Sequence, residues 1–224
     1  MPNALITGAS KGLGRALAAG LAADGWRVVV DARSATALQE AVAGWPTATA
    51  IPGDVTDDRH RQELVAAAGT QLDLLVLNAS SLGQTPLPAL SGYRGDELRA
   101  ALETNAVAPL LLVQHALPAL RAARGRILAI SSDAAVEGYP GWGGYGAAKA
   151  ALDQLMRVLA AEEPDLRVFA VDPGDMRTAM QADASPGADL SDLPPPEEVA
   201  PLLRRLIDEP LPSGRYSVTE LVAA

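Results

Sequence analysis

The sequence predicts an α/β protein: one domain over residues 1–224, built on a doubly wound parallel sheet of about seven strands with helices on both faces. Two observations predict it. Short runs rich in Val, Ile and Leu alternate with helical patterns from end to end, and strands buried on both faces read as near-continuous apolar runs of this kind. The first run also enters its helix through a turn that holds three glycines within seven residues.

The strands are expected, in order, at "NALIT", "RVVV", "ATAI", "LDLLVL", "GRILAIS", "LRVFAV" and "GRYSV". The helical patterns between them supply the right-handed crossovers that a parallel sheet requires. No internal repeat, low-complexity tract or linker divides the chain. One stretch departs from the alternation. Asp175 to Pro196, "DMRTAMQADASPGADLSDLPPP", is polar and broken by proline, and is expected to be a structureless loop that covers or binds a substrate.

Length and composition narrow the function. A chain of 224 residues can bury a full core. The net charge of -9 and the absence of a basic run speak against a nucleic-acid or anionic-membrane partner, because both reward Lys and Arg. With no cysteine there is no disulfide, thiol nucleophile or Cys-based metal site, and no metal is expected. The N-terminus lacks a basic region followed by a long apolar segment, and the greasiest stretch, "AVAPLLLV", is too short to span a bilayer. The expected compartment is the cytoplasm.

The glycines of "TGASKGLG", Gly8, Gly12 and Gly14, indicate a ligand. An ordinary strand-to-helix turn needs at most one, and each further glycine costs roughly 0.5–1 kcal/mol relative to alanine. In open α/β sheets ligands bind beyond the carboxyl ends of the strands, where the first turn presents backbone amides and a positive helix end to a pyrophosphate. Gly8 permits the tight turn, Gly12 a close backbone approach, and Gly14 the packing of helix on strand. This is the dinucleotide-binding, or Rossmann, arrangement, although the spacing is G-x-x-x-G-x-G where the usual fingerprint is G-x-G-x-x-G. At the end of the second strand, "RVVVDARSATAL", an acid would bind the ribose 2′-hydroxyl of NAD and an arginine the 2′-phosphate of NADP. Asp31 and Arg33 are both there, and spacing does not choose between them.

Seven ordered matches then carry a family resemblance. They are "TGASKGLG" (Thr7 to Gly14), "GDV" (Gly53 to Val55), "NAS" (Asn78 to Ser80), Asn105, the serine of "ISS", "YGAAK" (Tyr145 to Lys149) and "DPGDMRT" (Asp172 to Thr178). Over nearly its whole length the chain resembles the short-chain dehydrogenase/reductase family. That resemblance implies hydride transfer between a nicotinamide and a carbonyl or alcohol substrate, with Asn105, Ser132, Tyr145 and Lys149 as the catalytic set. Chemistry supports the last two independently. Tyr145 and Lys149 stand four apart on one predicted helix face, and a neighbouring ammonium is expected to lower the phenol from its usual value near 10. Tyr145 then gives a proton to a carbonyl or takes one from an alcohol.

By resemblance, Ser132 hydrogen-bonds the substrate oxygen, and Asn105 holds a water in a proton relay. Ser131, its strand neighbour, faces the other way, so only one of the two serves. The acid-selecting position falls on Ala32 with Arg33 after it, and with Lys11 in the glycine turn this resembles the NADP pattern; NAD(H) is the less favoured cofactor. Asp54 accepts from the adenine amine, and Asn78 with Ala79 lines the ribose. Pro173, Gly174 and Thr178 close over the nicotinamide, and Thr7, Ser10, Leu13, Val55 and Met176 complete the cofactor contacts. Ser80 departs from the pattern, which usually has glycine there. The helices expected at Asp96 to Arg121 and Tyr145 to Glu162 correspond to the pair that builds the family's dimer contact, so a homodimer or homotetramer is expected.

The substrate wall is expected to be Asp133 to Gly144, "DAAVEGYPGWGG", with the loop from Asp175, and neither shows a charged cluster aimed at a substrate group. Tyr139 and Trp142 suit an apolar or aromatic carbonyl compound, and suit packing against the loop or a second subunit equally. Two other functions share this fold. A non-catalytic dinucleotide sensor or scaffold would not need Asn105, Ser132, Tyr145 and Lys149, and an isomerising or dehydrating enzyme would need a larger substrate region.

Overall fold

The computed structural model describes residues 1–223 and contains all seven strands in one sheet. The first half runs β1 (Asn3–Ile6), α1 (Gly12–Ala23), β2 (Arg27–Ala32), α2 (Ala35–Val42), β3 (Ala48–Pro52), α3 (Asp58–Ala68) and β4 (Leu74–Leu77). After it come α4 (Gly95–Leu102), α5 (Ala108–Ala123), β5 (Arg126–Ile130), α6 (Gly143–Glu162) and β6 (Arg167–Asp172). The chain closes with α7 (Ala179–Ala184), α8 (Pro196–Asp208), β7 (Gly214–Ser217) and α9 (Val218–Ala223). Every strand pair is parallel, in the order β3-β2-β1-β4-β5-β6-β7. The chain winds outward from β1 to β3, then returns to lay β4 on the other side of β1. That reversal is the switch point where ligands bind.

Period-two alternation inside the apolar runs makes two cores. Ala4 and Ile6 of β1, with Leu74 and Val76 of β4, pack against Leu17 and Leu21 of α1 and Leu203 and Leu206 of α8. Leu5, Leu75 and Ile127 face the opposite way, onto Leu112, Val113 and Leu120 of α5 and Leu152 and Met156 of α6. The edge strand β3 is half-exposed and ends on Pro52, a residue that an edge tolerates because it lacks an N–H.

Two expectations need correcting. The helix expected at Asp96 to Arg121 is α4 and α5 joined by a π-helical turn, Glu103–Val107. Pro109 has no N–H to give the carbonyl of Asn105, and the Asn105 side chain itself donates to the Ala101 carbonyl at 2.8 Å. The rod Gly95–Ala123 is long and apolar enough to cross a bilayer, although "AVAPLLLV" alone is not; here 44% of its apolar window is buried, through the α5 contacts above. The segment from Asp175 to Pro196 is also not structureless. It contains α7, whose N-terminus is capped by the Thr178 hydroxyl accepting from the Gln181 N–H at 3.2 Å, and the Arg177 N–H donates to the Pro194 carbonyl at 2.9 Å. It is an ordered strap across the sheet end.

Candidate active site

The carboxyl ends of the central strands open into one cavity of about 1020 Å³. The turn after β1 forms one wall with Gly8, Ser10, Lys11, Gly12 and Leu13. Gly8 and Gly12 have φ of +69° and +60°, the left-handed region that glycine alone adopts without strain. A Cβ on Gly8 would fall 2.8 Å from the Ala79 Cα, and one on Gly14 would fall 2.4 Å from the Asn78 Nδ2. Gly12 is uncrowded, so backbone twist alone selects it among the protein's own contacts. No side chain caps α1, which leaves its first amides for whatever enters the cavity.

The structure separates the two rivals at the end of β2. Asp31 is 1% exposed. One carboxylate oxygen accepts the Gly8 N–H at 2.7 Å, the other meets the His60 Nε2 at 3.0 Å, and the Asp31 carbonyl accepts the Ala9 N–H at 2.8 Å. Burial pushes its carboxyl up, against the hydrogen bonds from His60 and Gly8. Asp31 therefore braces the glycine turn from inside. His60 packs closely on Gly53, where a Cβ would lie 2.2 Å from the Nδ1. This buried pair was invisible to sequence reasoning, because α3 brings His60 to β2 from 29 residues away. Arg33 is exposed and lines the cavity with Lys11, Asp54 and Val55. Burial raises the Asp54 carboxyl, but hydrogen bonds from Thr56 and the charge of Arg33 outweigh it and hold it low.

Thr7 and Asn78 lace β1 to β4. The Thr7 hydroxyl accepts the N–H groups of Asn78 and Ala79, each at 3.0 Å, and the Asn78 amide donates to the carbonyls of Thr7 and Gly8 at 2.9 and 3.1 Å. Asn78 and Ala79 border the cavity, whereas Thr7 and Gly14 lie behind its wall. On the far side Pro173, Gly174, Met176 and Thr178 complete the lining.

Tyr145 and Lys149 leave α6 one turn apart and reach the cavity almost fully buried, 8% and 2% exposed. The Lys149 Nζ donates to the Ile130 carbonyl at 2.7 Å and lies 5.6 Å from the Tyr145 ring centroid. Burial dominates both groups. It pushes Lys149 down to about 8, with Asp153 opposing, and the Tyr145 phenol up to about 12. The Ser80 and Ser132 hydroxyls oppose that rise in the phenol, while the charges of Asp172 and Asp133 add to it. The expected lowering of the phenol by the ammonium is thus overturned in the protein alone, because desolvation is the larger effect.

Ser132 caps a short turn, accepting from the Ala134 N–H at 3.2 Å and donating to the Asp133 Oδ1 at 3.0 Å. Ser131 also borders the cavity; it is 2% exposed and its hydroxyl has no hydrogen-bond partner. Asn105 lies behind the lining, fully buried. Its Oδ1 accepts from the Ser80 hydroxyl at 2.7 Å and the Ser81 N–H at 3.1 Å, and its Nδ2 donates to the carbonyls of Ser81 and Ala101, each at 2.8 Å. Both donors and both lone pairs are taken, so the side chain has nothing left to hold a water. On the substrate wall Tyr139 donates to Asp133 at 2.9 Å, and Trp142 packs edge-on against Tyr145 with ring centroids 5.6 Å apart. The charged cluster absent from the sequence reading is assembled by the fold: burial raises Asp172 and Asp175, and the charge of Asp133 raises both further. Among the described residues no group of metal-binding side chains occurs.

A sequence profile of the short chain dehydrogenase family matches residues 2–189. The chain is 34% identical over 180 residues to an uncharacterized oxidoreductase of Schizosaccharomyces pombe, covering 79% of this chain and 72% of that one. It is likewise 34% identical over 196 residues to the sepiapterin reductase of Bos taurus, covering 79% and 73%. A short chain dehydrogenase of Escherichia coli CFT073, solved in complex with NADPH, superimposes with a TM-score of 0.90 at 29% identity, over 97% of this chain and 96% of that one. The protein belongs to the short-chain dehydrogenase/reductase family and is an oxidoreductase of that class.

Proposed function

We propose that the protein is an NADP(H)-dependent reductase that transfers a hydride between the nicotinamide and a carbonyl or alcohol substrate, with Tyr145 as the general acid/base. The observation that carries this reading is that one cavity holds both the open N-terminus of α1 and the buried Tyr145 and Lys149 pair. The residues present fit the cofactor. Gly8 and Gly12 leave the turn bare for a pyrophosphate, Ser131 offers an unpartnered buried hydroxyl, and Arg33 and Lys11 supply cations where a 2′-phosphate would lie. Asp31, spent on Gly8 and His60, does not compete for a ribose hydroxyl. The NADPH complex of the structural relative supports the same choice.

When bound, the nicotinamide supplies or accepts the hydride. Ser132 orients the substrate oxygen, Tyr145 gives that oxygen its proton, and Lys149, held by Ile130, offsets the charge left on the phenol. The strap from Asp175 to Pro196 covers the substrate, and residues 1–224 act as one catalytic domain. Asp133, Asp172 and Asp175 repel anions, while Tyr139 and Trp142 provide apolar surface. A carbonyl panel with NADPH tests this directly. Neutral apolar or aromatic ketones and aldehydes are expected to oxidise NADPH at least about tenfold faster than keto acids of similar size, the factor for roughly 1.4 kcal/mol of repulsion. Oxidation of NADPH by none of them, or best by the keto acids, contradicts the reading.

We also propose that the protein is at least a dimer. The outer side of the Gly95–Ala123 rod carries Val107, 40% exposed, and α6 carries Val158, 42% exposed. Light scattering at micromolar concentration is expected to give a multiple of 23.1 kDa. A monomer mass counts against the assembly and leaves the chemistry intact.

A further inference from the structure

Ser132 is held by a side chain that comes from β7, far along the sequence. β5 ends at Ile130, and the Ser131 N–H donates to the Val171 carbonyl of β6 at 2.7 Å. Ser132 then opens a short turn, and its hydroxyl is bonded within that turn, to the Ala134 N–H and the Asp133 carboxylate. Where the turn goes, the hydroxyl goes. The Ser132 carbonyl can accept two hydrogen bonds. One comes from the Ala135 N–H at 3.1 Å, again within the turn, and the other from the Arg215 Nη2 at 2.9 Å. The Arg215 Nε donates to the Asp153 Oδ2, also at 2.9 Å. Asp153 is buried on α6 one turn beyond Lys149, so Tyr145, Lys149 and Asp153 follow one another along a single helix face. The rigid guanidinium plane thus joins the end of β5 to the helix that carries Tyr145 and Lys149. The strand register explains the reach. Ala129, Ala170 and Arg215 stand side by side across β5, β6 and β7, and the two alanines belong to the core that faces α6. Two methyl groups leave that row low enough for a long side chain to cross.

We propose that Arg215 is a positioning residue for Ser132: it clasps the serine's turn to α6, so that the Ser132 hydroxyl and the Tyr145 phenol address the same substrate oxygen. The inference rests on the proposed roles of those two residues. Ser132 follows a strand and Tyr145 lies on a helix, and elements packed through apolar side chains can slide on one another. A misplacement of about 1 Å is enough to cost roughly 10²-fold in rate. Arg215 opposes that sliding because it bonds both elements at once. An apolar side chain would fill the same row and donate to neither.

The test is a double-mutant cycle in the full chain, read as single-turnover reduction of a ketone by NADPH. Arg215→Met is expected to slow reduction roughly tenfold or more while NADPH affinity stays within a factor of about three. Ser132→Ala slows the wild type, but in the Arg215→Met background the serine is already displaced, so the same substitution is expected to cost at least about tenfold less there. Arg215→Met also leaves Asp153 buried without its cation, so the cycle is repeated with Asp153→Leu in every member, which removes the unpaired charge. Asp153→Leu takes away a charge that favours the Lys149 ammonium, but that loss is common to both backgrounds and cancels in the ratio. Ser132→Ala costing the same factor with and without Arg215 overturns the inference, even if Arg215→Met melts earlier, because a purely structural ion pair gives additive losses. A second reading needs no turnover. Isotope labelling of serine carbonyl carbons and aspartate nitrogens marks the Ser132–Asp133 and Ser191–Asp192 peptides for nuclear magnetic resonance, and Ser132→Ala identifies the first. The Ser132 carbonyl signal is expected to move upfield in Arg215→Met as its hydrogen bond is lost; an unmoved signal also overturns the inference. Failure of the reductase reading looks different: the wild type reduces no carbonyl compound while the Ser132 signal still moves, which removes the proposed role and leaves the clasp.

Discussion

Tyr145→Phe is expected to bind NADPH within a factor of about three of the wild type and to lose roughly 10²–10⁴-fold in hydride-transfer turnover, the usual contribution of a positioned general acid. The substitution removes one oxygen from a side chain that is 8% exposed and packed edge-on against Trp142, so the fold has little reason to respond. The pH dependence follows from the two buried groups. With the phenol pushed up to about 12 it stays protonated at neutral pH, which suits proton donation to a carbonyl. Lys149 is cationic only below about 8, so the charge that offsets a nascent phenolate is lost as pH rises through that value. Carbonyl reduction by the wild type is therefore expected to be level on the acid side of about pH 8 and to fall above it. The same shift bears on stability with its sign reversed. A lysine held down to about 8 in the fold, from 10.5 unfolded, destabilises the protein most when it must be charged, and that penalty is relieved between those two values as pH rises.

Arg33→Asp is expected to lower NADPH affinity at least about tenfold, since it removes a charge-assisted bond of roughly 1.5–3 kcal/mol and adds a repelling carboxylate. NADH, with a free 2′-hydroxyl that the new carboxylate can accept from, is expected to lose little or to gain. Lys11→Ala weakens NADPH in the same direction but less, because an ammonium lacks the planar fork of a guanidinium. Asp31→Ala provides the contrast. It releases the Gly8 N–H and unpairs buried His60, so it is expected to weaken NADPH and NADH alike and to lower the melting temperature. Isothermal titration with both cofactors reads the affinities, and a thermal melt reads the loss of stability in Asp31→Ala. Loss of NADH preference in Asp31→Ala, from a wild type that prefers NADH, would assign the ribose contact to Asp31 instead.

What was legible in the sequence was whatever a local pattern determines. All seven strands lie where the sequence marked them, and for the inner strands β1, β2, β4, β5 and β6 the reason is that a strand buried on both faces reads as an apolar run, whereas the edge strands β3 and β7 are partly exposed. The glycine turn was legible because Gly8 and Gly12 occupy backbone conformations that few other residues tolerate. The Tyr145 and Lys149 pair was legible because four residues make one helical turn. The rest depends on long-range approach. Nothing local in "DRHRQELV" announces that His60 meets Asp31, and nothing in "NASS" shows that Ser80 and Ser81 consume the amide of Asn105, since the topology joins them across 29 and about 25 positions. The sign of the Tyr145 shift was missed for a related reason. Spacing placed a cation beside the phenol, but only packing reveals how much water both groups lose. The strap from Asp175 looked structureless because its order comes from the Thr178 cap and the Arg177 to Pro194 bond, not from an apolar period.

The central claim is that a hydride passes from NADPH to a carbonyl carbon as Tyr145 delivers the proton. NADPH carrying deuterium on the reactive nicotinamide carbon, mixed in a single turnover with a ketone that the panel identifies, tests it most directly. The account predicts that mass analysis finds the deuterium on the carbinol carbon of the alcohol, formed with a primary isotope effect in the wild type and scarcely formed at all in Tyr145→Phe. An alcohol without the label, or labelled alcohol formed as fast by Tyr145→Phe as by the wild type, would contradict it.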